Sequence, residues 1–200
     1  MKQNNNWQWY ISKPNFFTSD ECDEFVDKIK STEKKEFGCL EPHHGEDHVP
    51  EFRHVSEWYL HKDMRDYVVG DYSDLQQKLY IAAKVCNQLS WNLNIQEVEN
   101  NIKLIEYTPG DFYTWHSDFN SGISSTRKLV TIIQLSDPKD YEGGSIQLAI
   151  QDPKTLEFYE MIKEKGTLLV FPPIFFHRVT PVTSGVRYSL QEFISGDTFV

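Results

Sequence analysis

From residue 102 to residue 194 the chain reads as a run of short apolar segments broken by turn residues, and this pattern most restricts its fold. The segments are Ile102–Tyr107, Phe112–His116, 128–135, 145–150, 157–162, 167–171, 176–182 and 186–194. Pro109-Gly110, Asp137-Pro138, Gly143-Gly144, Pro172-Pro173 and Ser184-Gly185 fall between them. Many short strands at this spacing predict a sandwich or barrel.

The first half is mixed. Residues 7–11 and 52–60 read as strands rich in aromatics. Thr18-Ser19-Asp20-Glu21 has the form of a capping box, with a hydroxyl at the start and a glutamate three residues on. Cys22, Phe25, Val26 and Ile29 follow at helical spacing. A second helix is expected from Ser73, with Leu75, Leu79, Ala82, Cys86, Leu89 and Leu93 forming its apolar stripe. The fold expected is mainly β: a barrel or jelly roll buttressed on one side by N-terminal helices. A length of 200 residues suits one domain, with 1–100 as support and 101–200 as the β core.

Composition narrows the function. The chain is 39% apolar and 14% aromatic, which fits a packed core. A formal net charge of −10 disfavours a nucleic-acid partner. No apolar run is long enough for a membrane helix, and the polar start, Met1 to Asn6, does not read as a signal peptide. The three cysteines, Cys22, Cys39 and Cys86, include no CxxC pair, so a reducing cytoplasm is the expected setting.

The segment from Tyr107 to Asp118 carries the first chemical signal. His116 and Asp118 are two apart, and alternate residues of a strand share a face. An imidazole and a carboxylate can therefore meet one metal ion. His177 lies 61 residues on (177 − 116), after an apolar strand and a Pro-Pro turn. Two histidines and one carboxylate form the facial triad of non-haem iron(II) oxygenases, which leaves positions open for other ligands. Zinc also accepts imidazole, but a structural zinc takes four protein ligands and no natural fourth is evident. Arg187 and Ser189 share a strand face ten and twelve residues after His177. A guanidinium and a hydroxyl facing inward would hold a carboxylate. An inward arginine without an anion would be costly.

Taken in order, HxD, the distal histidine in Phe171-Pro-Pro-Ile-Phe-Phe-His177-Arg-Val-Thr-Pro-Val, and Gly185-Val-Arg-Tyr-Ser189 resemble the Fe(II)- and 2-oxoglutarate-dependent dioxygenases. The prolyl 4-hydroxylase branch, and within it the PKHD-type hydroxylases, is the most similar. Tyr141-Glu-Gly-Gly-Ser-Ile146 resembles a strand-turn-strand element of that branch, with Ser145 where a glutamate is usual. The resemblance implies a double-stranded β-helix with His116, Asp118 and His177 on Fe(II). It implies that Arg187 holds the distal carboxylate of 2-oxoglutarate, with Tyr107 and Ser189 as further donors. It implies O2 as cosubstrate, ascorbate as a possible reductant, and decarboxylation of 2-oxoglutarate to succinate coupled to hydroxylation of a C–H bond. The substrate implied is a prolyl residue of a peptide or protein. A free amino acid or other small molecule is the alternative, and a non-catalytic metal- or anion-binding barrel is the alternative from another class.

Tyr113, Trp115, Asn120 and Arg127 are the candidate substrate contacts, because they flank the HxD motif. Tyr113 falls between Gly110 and His116, nearest the expected mouth. Trp58 and Phe119 are further aromatic candidates, and Lys128 a source of positive potential. The His43 to His48 stretch reads as a polar loop, with a lid over the substrate as its functional alternative.

Overall fold

The computed structural model describes residues 6–31, 36–37, 53–60, 73–99, 102–150 and 157–198. In chain order the elements begin with β1 (Ile11–Lys13), α1 (Ser19–Lys30), β2 (Glu36–Phe37), β3 (Arg53–His54), β4 (Ser56–Leu60) and α2 (Ser73–Ser90). Then come β5 (Glu97–Val98), β6 (Ile102–Tyr107), β7 (Phe112–His116), a 3-10 turn (Gly122–Thr126), β8 (Arg127–Gln134), β9 (Tyr141–Gly143) and β10 (Ile146–Ala149). The last are β11 (Phe158–Glu160), β12 (Leu168–Phe171), β13 (His177–Val179), β14 (Val182–Gly185) and β15 (Arg187–Ser195).

The strands form two facing sheets. The larger has the order β1-β12-β8-β15-β6-β4-β2, with β5 also on β15. The smaller has the order β11-β10-β13-β7-β3. β9 and β14 pair separately and close one end. Every pairing is antiparallel, and neighbours come from distant points in the sequence, as a double-stranded β-helix requires. Alternation along the large sheet then separates two cores. Ile102, Leu104, Leu129, Ile133, Leu190 and Ile194 face the helices. Ile105, Tyr107, Val130, Ile132, Leu169 and Phe193 face the small sheet. The functional residues sit in this second core.

The helices form for local reasons that the sequence displays. Glu21 accepts from the Thr18 N–H at 2.7 Å, and the Glu21 N–H donates to Thr18 Oγ1 at 3.1 Å, the reciprocal capping box. On α2 the buried stripe is Leu75, Leu79, Ala82, Ala83 and Cys86. Leu89, assigned to that stripe, is exposed. Leu93 lies beyond the helix, because Asn92 turns the chain at φ +52 and Asn87 caps it through the Leu93 N–H and carbonyl. Among the described residues, no helix is long and apolar enough to cross a membrane, a statement that leaves β-barrels aside.

Three expected strands differ. Residues 7–10 are not strand: the Gln8 N–H donates to Ser90 Oγ, and Trp91 Nε1 donates to the Gln8 carbonyl, so α2 takes the hydrogen bonds a sheet would have used. The stretch expected over 52–60 divides at Val55. β3 pairs with β7 in the small sheet and β4 with β6 in the large one. The stretch over 176–182 ends at Val179, and Pro181, which has no N–H, separates it from β14. The His43 to His48 segment lies outside the described residues, as does the side chain of Trp58.

Candidate metal and cosubstrate site

Antiparallel pairing of β7 with β13 sets His116 directly across from His177. Asp118 follows β7, and its N–H donates to the Pro173 carbonyl at 3.0 Å. Ser117 Oγ donates to the same oxygen at 2.8 Å. The Pro172-Pro173 turn thus fastens the Asp118 loop to the strand that bears His177. One ligand atom from each of His116, Asp118 and His177 lies within 4.8 Å of the others.

The second ring nitrogens decide what these atoms can do. His116 Nδ1 lies 2.8 Å from the Thr114 carbonyl, and His177 Nδ1 lies 3.0 Å from the Phe175 carbonyl. A carbonyl only accepts, so each Nδ1 carries the hydrogen and each Nε2 offers a lone pair. His116 Nε2 is 3.7 Å from Asp118 Oδ1, and His177 Nε2 is 3.2 Å from Oδ2. Oδ2 is buried and has no hydrogen-bond partner among the described residues. Lone pairs gathered on a carboxylate repel unless a cation lies among them. Burial, with His177 beside it, pushes His116 down to about 3, so it is neutral and able to ligate at neutral pH. Burial opposes charge on Asp118, but His177, His116 and Arg127 outweigh it and hold the carboxyl at about 2. Two imidazoles presenting Nε2 and one carboxylate fit iron(II).

The cavity beside these ligands reaches Tyr107, Arg187, Ser189 and Gln191. Arg187 is 1% exposed. Its Nη2 donates to Gln134 Oε1 at 2.9 Å, while Nε and Nη1 have no hydrogen-bond partner among the described residues. A buried guanidinium with two idle nitrogens fits a carboxylate ligand. Tyr107 is paired with Arg187 in register and carries its ring 5.1 Å from the guanidinium. Ser189, on the same face, is also buried. Gly144 makes room for this arginine. At φ +57, a Cβ there would lie 3.0 Å from Arg187 Cδ and from Val182 Cγ2, which explains the Gly-Gly pair.

The expected substrate residues separate. Tyr113 lines the cavity, its ring stacked on His116 at 3.5 Å and 10°. Trp115, next to His116 on the strand, is on the opposite face of the small sheet, with Arg178 4.7 Å from its ring, while an irregularity in the β7–β13 register turns Tyr113 inward as well as His116. Asn120 is exposed and accepts the Ser121 N–H. Arg127 grips Glu99 through Nε at 3.0 Å and Nη2 at 3.1 Å, and its Nη1 donates to the Asp118 carbonyl at 3.3 Å. The structure thus sets Arg127 behind the Asp118 loop. Phe119 is half-buried beside it, and Lys128 is buried on β8. Sequence reasoning missed Gln134 and Gln191. Gln134 had a readable signal, as a polar residue closing the inward row Val130, Ile132, Gln134.

Comparison with known proteins agrees with this geometry. Residues 102–195 match the family model of the 2OG-Fe(II) oxygenase superfamily. A PKHD-type hydroxylase of Pseudomonas paraeruginosa is 35% identical over 89 residues, covering 42% of this chain and 38% of that protein. The match thus spans little more than a third of that relative. Two solved structures share the fold. A Pseudomonas putida prolyl-4-hydroxylase superposes with a TM-score of 0.70 at 14% identity, covering 94% of this chain and 93% of that one. A Trichoplax adhaerens prolyl hydroxylase, solved with a hypoxia inducible factor peptide fragment, gives 0.70 at 18% identity, covering 96% and 85%. Motif, fold and donor set coincide: over residues 102–195 the chain is similar to the 2OG-Fe(II) oxygenase superfamily, and its fold is similar to that of prolyl hydroxylases.

Proposed function

We propose that this protein is an Fe(II)- and 2-oxoglutarate-dependent dioxygenase that hydroxylates a C–H bond, with a prolyl residue of a peptide or protein as substrate. The observation that carries the reading is the pairing of two sites in one cavity. His116, Asp118 and His177 gather lone pairs around one point, and Arg187 waits with two idle nitrogens at the far end. A non-catalytic barrel has no need of both.

Bound iron with 2-oxoglutarate and O2 would supply the oxidising power, with succinate and CO2 as the products of the cosubstrate. The chain's own residues do the rest. The Thr114 and Phe175 carbonyls fix the tautomers of His116 and His177. Gln134 holds one nitrogen of Arg187 and so aims the other two along the cavity. Tyr107 and Ser189 line the path of the cosubstrate's distal carboxylate. Ile105, Ile132, Ile146 and Val179 keep the space apolar and exclude water from the reacting bond.

The peptide substrate is supported by the prolyl hydroxylase folds to which the chain is similar. Succinate release measured against proline-rich peptides and free amino acids tests it. Stimulation by peptides is expected. Stimulation by free amino acids alone would sink the peptide reading and leave the small-molecule one.

A further inference from the structure

The outer face of the small sheet carries apolar surface that the cavity does not use. His177 and Leu148 face the inner core, so their neighbours Arg178 and Gln147 face outward. One outward row across the strands reads Arg178 on β13, Gln147 on β10 and Glu160 on β11, paired in register. The next row reads Phe176, Ala149 and Phe158. There the Ala149 N–H donates to the Phe176 carbonyl at 2.8 Å, and Ala149 pairs with Phe158. Phe176 is 47% exposed and Phe158 39%, on either side of a residue as small as alanine. Neighbouring exposed rings on a sheet face mark a contact surface.

The two charges of this face are held apart. Arg178 Nε donates to Gln147 Oε1 at 2.8 Å, and the guanidinium lies 4.7 Å from the Trp115 ring and 5.8 Å from that of Phe158. The side chain is thus fixed in place, with no carboxylate in ion-pair contact among the described residues. Glu160, half exposed, accepts from Ser145 Oγ at 2.8 Å, and Lys163 Nζ approaches it only to 4.0 Å. Arg178 and Glu160 stand two strand spacings apart, roughly 10 Å, too far to pair with each other.

This layout is self-complementary. A two-fold axis laid along β10, between two copies packed face to face, exchanges the β13 and β11 positions. It sets Arg178 against Glu160 of the second copy, and Glu160 against its Arg178. It also sets each Phe176 against a Phe158, while the two Ala149 residues meet on the axis and leave room for the rings. The strands of the two sheets are then aligned, as in stacked sheets. The outward residues of β10, β11 and β13 include one cation and one anion, so two copies of net charge −10 can meet here without opposing like charges. We propose that this face is the interface of a symmetric homodimer, with a second copy of the chain as its occupant. The proposal stands apart from the reaction assigned to the cavity, which lies behind the sheet.

Sedimentation velocity over a micromolar concentration series tests it, with thermal melts to certify that each variant is folded. The wild type should dimerise. Arg178→Glu and Glu160→Arg should each weaken the dimer at least tenfold, because each opposes two like-charged pairs across the axis. Glu160→Arg lowers the net negative charge, so general repulsion does not account for a loss there. The double variant Arg178→Glu/Glu160→Arg rebuilds both pairs in reverse and should return to within threefold of the wild type. Phe158→Ser, which changes no charge, should weaken the dimer too. Ile81→Ser, on the exposed stripe of α2, should leave it unchanged. A wild type that stays monomeric, a dimer indifferent to both charge reversals, a double variant no tighter than the singles, or a dimer lost in Ile81→Ser would each overturn the interface.

Discussion

Arg187 and Glu192 lie five residues apart on β15, both almost fully buried, and they illustrate opposite uses of a buried charge. Arg187 faces the cavity with two unsatisfied nitrogens and is built for a ligand. Arg187→Ala should raise the KM for 2-oxoglutarate by orders of magnitude, from the loss of about 2–5 kcal/mol of charged hydrogen bonding. Steady-state succinate release reads it, and an unchanged KM would refute the carboxylate assignment. Glu192 faces the helices, where burial pushes its carboxyl up to about 8. The folded state keeps a proton that the unfolded chain loses near its ordinary pKa of about 4.3. Stability from this group is therefore full below that pH and drains away as the pH climbs through 8. Glu192→Gln should match the wild type near pH 4.5 and exceed it by about 1–3 kcal/mol near pH 8. Thermal melts at the two pH values check this.

Elements place these residues. The site was legible where it depended on strand alternation: His116 with Asp118, and Arg187 with Ser189, share faces as a period of two demands. It was illegible where pairing is long-range. The irregular β7–β13 register that turns Tyr113 inward together with His116 depends on a strand about sixty residues away, and no local pattern announces it. The break at Val55, between strands of different sheets, is hidden in the same way, because β3 and β4 differ only in their distant partners. Arg127 was read as a substrate contact because it follows the HxD loop. Glu99, its partner, lies 28 residues upstream, and their meeting again follows from tertiary pairing. Arg127→Ala should therefore weaken iron binding several-fold by loosening the Asp118 loop, with a smaller effect on the KM for 2-oxoglutarate. Equilibrium metal titration of the folded variant makes that comparison. Leu79, fully buried on the inner face of α2, should cost about 2–5 kcal/mol when replaced by alanine, as read by denaturant unfolding.

At the scale of the molecule, the net charge of −10 describes the surface and misleads about the interior. The cavity holds Arg187, 1% exposed and with two unpartnered nitrogens among the described residues, so its local balance departs from that of the whole chain. The barrel class and its helical buttress followed from turn spacing and two periodicities, which are local properties. The order of strands in the two sheets did not. The metal centre ties together β7, β13 and the turn before β13, which are distant in sequence, so occupancy should stabilise the fold. A divalent metal at a hundred times its Kd is expected to add about 2.7 kcal/mol, and His116→Ala should remove the gain.

The central claim is that one cavity holds iron on His116, Asp118 and His177 and 2-oxoglutarate on Arg187. Anaerobic titration of the protein with Fe(II) and then 2-oxoglutarate addresses it directly. A weak visible charge-transfer band should appear only when both are present, saturate at one equivalent of each, vanish in His116→Ala, and require far more 2-oxoglutarate in Arg187→Ala. Folded wild-type protein that gives no band, or a band indifferent to both substitutions, would contradict the account.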